Sequence, residues 1–66
     1  MTPTVIRSLS SEAASAGDLA MVAICALALG GPEALEGAEP GTEFAELLLS
    51  GMTQERAVEI CEEVIG

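Results

Sequence analysis

Histidine, lysine, tryptophan and tyrosine are all missing from this chain, and Phe44 is its one aromatic residue. Lack of histidine removes the usual partner that activates a cysteine or serine nucleophile, and it removes the imidazole that most metal sites use beside cysteine. Near-absence of aromatics means that a core must be built from Ala, Leu, Val, Ile, Met and Cys. Cations are almost as scarce. Arg7 and Arg56 face eleven carboxylates, for a net charge of −9. A surface that binds DNA, RNA or an anionic membrane must set cations against phosphates, so direct nucleic-acid or membrane binding is not expected. Such an excess of carboxylates suits a basic protein partner, or imitates the charge of a nucleic acid. Its simpler role is to keep an apolar chain in solution.

Long apolar runs are absent except for one. Residues 19–29 read LAMVAICALAL without a polar break. As a helix they cover about 16 Å, against about 30 Å for the hydrocarbon core of a bilayer, so they do not predict a span. They lie too far into the chain for a signal peptide, with Glu12 and Asp18 between them and Arg7. A cytoplasmic protein without a targeting segment is therefore expected. An ordinary surface helix has one apolar stripe, whereas this run is apolar all round and must be covered on every side. In 66 residues the remaining chain is barely large enough for that. A buried central helix, completed by a second subunit or a partner, is the expectation.

Ala and Leu favour helix, and no alternating β-branched pattern is present, so the chain reads as all-α. One helical domain over residues 1–66 is expected, a compact bundle of three to four short helices around residues 19–29. Residues 1–7, MTPTVIR, read as an extended arm because Pro3 disfavours helical angles at Thr2. Ser8 reads as the cap of a first helix over residues 9–16, ended by Gly17. Asp18 suits the start of the apolar helix, and the Gly30-Gly31 pair suits its end. Residues 30–41, with two prolines and three glutamates, read as a loop holding one helical turn around Ala34 and Leu35. Thr42 caps a third helix over residues 43–50, with Phe44, Leu47 and Leu48 on one side. Thr53 caps a fourth over residues 54–65, whose apolar face is Ala57, Ile60, Cys61 and Val64.

The outer face of that last helix carries Glu55, Glu59, Glu62 and Glu63. Glu55–Glu59 and Glu59–Glu63 are like-charge pairs at i, i+4, each costing a few tenths of a kcal/mol. Packing or a cationic partner must offset that cost. These four glutamates, with the Gly51-Met52 corner before the helix, are the candidate partner-binding residues. A solvated helix face is the simpler reading of the glutamates, and an ordinary capped corner that of Gly51-Met52. No catalytic, cofactor or metal site is expected. Cys25 and Cys61 both fall on apolar helical positions and read as free buried thiols, with a disulfide as the alternative in an oxidising compartment.

Four resemblances bear on function. The stretch LLLSGMTQERAVEI resembles the helical corner that opens ubiquitin-associated-type three-helix domains, which implies a peptide-binding patch at Gly51-Met52. It also resembles a helix-turn-helix DNA reader, but its second helix offers one cation and four glutamates. Acyl carrier proteins are likewise small, acidic and helical, but here Arg7-Ser8-Leu9 stands in place of their Asp-Ser-Leu attachment site. The stretches GDLAMVAICALALGG and TQERAVEICEEVI are similar to two signatures of short uncharacterised helical proteins of bacteriophages and bacterial genomes. Those are a Gly-Asp pair opening a Met-Val-x-Ile-Cys helix, and a later Ala-x-x-x-Cys-x-x-Val-Ile helix, matched here by Ala57, Cys61, Val64 and Ile65. Together the stretches cover about 28 of the 66 residues. Residues 32–52 look inserted between them. The resemblance implies a phage accessory protein and no particular chemistry. The expected function is a small acidic, non-enzymatic interaction module that modulates a host protein, with a homo-oligomerising structural protein as the alternative. In the alternative, Ala23 and Ala26 would let the helix of a second copy approach closely.

Overall fold

A computed structural model of the chain describes residues 2–66. Among them are the helices α1 (Pro3–Ser15), α2 (Leu19–Gly30), α3 (Glu43–Ser50) and α4 (Gln54–Ile65), a 3-10 turn at Pro32–Leu35, and no strand. The all-α bundle with a central apolar helix is thus the fold of the chain. Its Cα radius of gyration, 10.8 Å, matches the value of about 11 Å for a packed chain of this length.

Local chemistry sets most helix boundaries. Asp18 Oδ1 accepts from Met21 N at 3.2 Å, Thr42 Oγ1 from Ala45 N at 3.2 Å and Thr53 Oγ1 from Arg56 N at 3.1 Å, so each takes up a donor that its helix cannot satisfy. Two bonds close α1, from Gly17 N to Ala14 O and from Asp18 N to Ala13 O, with Gly17 at φ +76°. This is the paired bonding of a Schellman ending. Asp18 therefore serves two helices at once: its backbone finishes α1 and its carboxylate starts α2.

The expected arm over residues 1–7 is corrected from Pro3 onward, where α1 already begins; Met1 lies outside the described residues. Proline restrains the residue before it, and Thr2 is indeed extended at φ −90° and ψ 152°. Pro3 itself is suited to the first helical position, where its missing N–H is no loss. Ser8 consequently lies exposed inside α1 and caps nothing. Starting at Pro3 brings Ile6, Leu9 and Ala13 onto one stripe, with Ile6 and Ala13 buried and Leu9 half-buried.

That longer α1 changes how α2 is covered. Packing of α1, α4, the 3-10 turn and α3 encloses α2. Cys25, Leu27, Ala23 and Ala28 are buried within one copy of the chain, and Met21 and Ile24 are half-buried against the core. Ala23, Cys25, Leu27 and Ala28 thus need no second subunit or partner for their cover. Ala23, proposed above to receive a neighbouring copy, is only 1% exposed. Water still reaches the first turn, where Leu19 and Ala20 are exposed.

The segment between α2 and α3 is anchored rather than draped. Leu35, on the 3-10 turn, is only 2% exposed and belongs to the core. Reaching it requires a sharp reversal after α2. A side chain on Gly30 would place Cβ 2.9 Å from Ala34 Cβ. Gly31 sits at φ +72° and ψ −171°, a region open essentially to glycine alone. Gln54 Nε2 donates to Ala28 O at 3.0 Å, which ties the start of α4 to the end of α2.

Candidate functional site

Helix α4 has a packed side at Ala57 and Cys61 and an exposed charged side. Ala57 and Cys61 are fully buried against α2. Glu55, Glu59, Glu62 and Glu63 are all exposed. Arg56 Nη1 lies 3.6 Å from both Glu59 Oε2 and Glu63 Oε1. All three side chains are more than half exposed, so these ion pairs are screened and each is worth little. Their effect is on geometry. Arg56 draws Glu59 and Glu63 to itself on the outer surface. At about 100° per residue, Glu62 lies on a different side of the helix, toward Val58 and Ile65.

The other two candidate residues are placed differently. Gly51 ends α3 in the left-handed conformation, φ +75°, and its N–H donates to Leu48 O at 3.3 Å. Met52 N donates to Ser50 Oγ at 3.2 Å, and that hydroxyl donates to Leu47 O at 2.6 Å. The Met52 side chain packs half-buried against the core. It lines an open groove of about 250 Å³ with Ala20, Ile24 and Leu47. None of the four glutamates lines that groove with Met52.

The two cysteines meet in the interior. Cys25 Sγ and Cys61 Sγ are 4.0 Å apart, unbridged, and both residues are fully buried. Burial pushes the Cys25 thiol from its usual 9.0 up to about 12, with the neighbouring Cys61 adding to the rise through charge and hydrogen bonding, and Asp18 adding a smaller effect. A thiol held protonated and out of reach of solvent is a poor nucleophile and a poor metal ligand. The pair acts here as packing between α2 and α4. Among the described residues, no group of three or more Cys, His, Asp or Glu side chains converges as a metal site would require, and no helix is long and apolar enough to cross a membrane.

One feature went unread in the sequence. Val64, expected on the packed face of α4, is 52% exposed, and its neighbour Ile65 is 43% exposed. With Val5, also exposed at 39%, and with Ser8, Leu9 and Glu12, they line a groove of about 350 Å³ between the start of α1 and the end of α4. The available signal was the spacing of Val5, Leu9 and Glu12, which fall on one side of a helix only if that helix begins at Pro3. No protein-family model matches this chain, and no curated protein or solved structure resembles it at a significant level.

Proposed function

We propose that this chain is a small acidic interaction module that binds a basic protein surface and acts without catalysis. The observation that carries the reading is the exposed set Glu55, Glu59, Glu62 and Glu63 on a helix whose other side is held by Ala57 and Cys61. A cluster of exposed carboxylates on one helix, in a chain of net charge −9, attracts cationic patches and suppresses wrong partners of like charge. The exposed Glu33, Glu36 and Glu39 extend the negative field beyond α4. The net charge of −9 motivates a sharper form, and the resemblance to short phage proteins its phage origin. In it the chain is phage-encoded, and it occupies the nucleic-acid-binding site of a host protein by carrying a comparable charge. A cytoplasmic location goes with that reading.

The test is capture from host lysate on the immobilised chain, run beside a variant with all four glutamates replaced by glutamine. Basic proteins retained by the native chain should be lost from the variant, and should elute in about 0.5 M salt, where charges are screened beyond roughly 4 Å. Retention that is indifferent to both changes overturns the reading. A second reading, a homo-oligomer, is favoured by the exposure of Val5, Val64 and Ile65. Light scattering at micromolar concentration separates the two, because a monomer leaves only the hetero-partner.

A further inference from the structure

We infer that the groove between the start of α1 and the end of α4 receives an amphipathic helix of another protein, one whose apolar stripe is flanked by lysine or arginine. The inference rests on the acidic-module reading and gives its partner a shape. Three β-branched side chains, Val5, Val64 and Ile65, are each between 39% and 52% exposed, although one turn earlier in α4 Cys61 is completely covered. Val5 on α1 and Val64 and Ile65 on α4 line a groove of about 350 Å³ together with Leu9 and Glu12. Glu62 lies one turn before Ile65, at the i, i+3 spacing that makes helix side chains neighbours, so a second carboxylate stands beside the opposite wall.

An apolar slot between carboxylates selects its occupant. The aliphatic anchors of a helix fit such a slot at i and i+4, and long basic side chains lie along apolar walls while their charged ends reach outward. Here those ends meet Glu12 and Glu62. A second copy of this chain is the poorer occupant. A two-fold contact brings the same patch of both copies together, so the carboxylates of both would gather in one interface. A stable dimer also buries about 800 Å² per partner, which would carry the contact well past the groove onto acidic surface. An anionic membrane is repelled by the same charges.

The experiment uses the full chain and a fluorescent Leu/Lys peptide with leucines on one helical face and lysines beside them. Its control carries glutamate at every lysine position. Anisotropy should report saturable one-to-one binding of the lysine peptide and none of the glutamate peptide. Val64→Lys should weaken binding at least about tenfold with an unchanged circular-dichroism spectrum, and Val5→Ser, on the other wall, should weaken it as well. The pair Glu55→Gln and Glu59→Gln, more than a turn away from the groove, should weaken it only about two- to threefold. Equal binding of the glutamate peptide, or native affinity in both groove variants, overturns the groove. So does a native dimer that Val64→Lys converts to monomer. If the glutamine pair abolishes binding while both groove variants bind normally, the groove falls and the acidic face stands. If the groove variants abolish it and the glutamine pair leaves it untouched, the groove stands and the acidic face falls.

Discussion

The two seams that α4 makes differ sharply. Against α2, it presents Ala57 and Cys61, both fully buried, opposite the fully buried Cys25. Toward α1, it presents the larger Val64 and Ile65, and both remain exposed. Small side chains let helix axes approach closely and exclude water completely. Bulkier side chains at the end of the same helix meet only the first turns of α1 and are left half-covered. Residue size and hydrophobicity alone would have ranked the two seams the other way.

Removing core volume should separate the seams most clearly. Leu27→Ala, at a site only 1% exposed, should cost about 2–5 kcal/mol. A domain this small holds only about 3–5 kcal/mol in its core, so circular dichroism at room temperature should show a largely unfolded chain. Alkali should attack the same seam. The Cys25 thiol is raised in the folded chain to about 12 from 9.0, so the folded state keeps its proton where the unfolded state has lost it. Stability is fully present below pH 9 and declines as pH rises from about 9 toward 12. The midpoint of urea unfolding should fall across that range, and Cys25→Ala should flatten the fall. Gly31→Ala should cost about 1–3 kcal/mol, because only glycine is comfortable at its backbone angles, and thermal melting reads this as a lower midpoint. Thr53→Ala should cost about 0.5–2 kcal/mol through the lost cap of α4. Val64→Ser, on the open seam, should change stability by no more than about 0.5 kcal/mol. A cost near that of Leu27→Ala would show that the α1–α4 flank is part of the core.

Helix boundaries were readable where a single side chain decides them. Asp18, Thr42 and Thr53 each capped the helix expected of them, because a cap acts over three residues and needs nothing distant. Pro3 was the exception. Its restraint on Thr2 points to an arm, yet its fitness to begin a helix prevails, and five residues of the expected arm belong to α1. Coverage was less readable than helicity. Val64 shares a periodic stripe with Ala57 and Cys61, but its exposure depends on where α1 lies, and no pattern within α4 carries that information. Gln54 likewise gave no sign that it would donate to Ala28 O, 26 positions away. The acidic face of α4 was fully readable, since charge spaced against an apolar stripe is solvated whatever the neighbouring helices do.

The shared corner at Asp18 meters the rotational phase between the first two helices. With one residue closing α1 and opening α2, no slack exists to absorb an extra amino acid. An insertion in the last turn of α1, between Ala14 and Ser15, would turn the rest of α1 by about 100° about its own axis relative to that corner, swinging Ile6 and Ala13 outward and carrying Val5 away from α4. Evolution can lengthen this molecule at its tips, but not at that elbow.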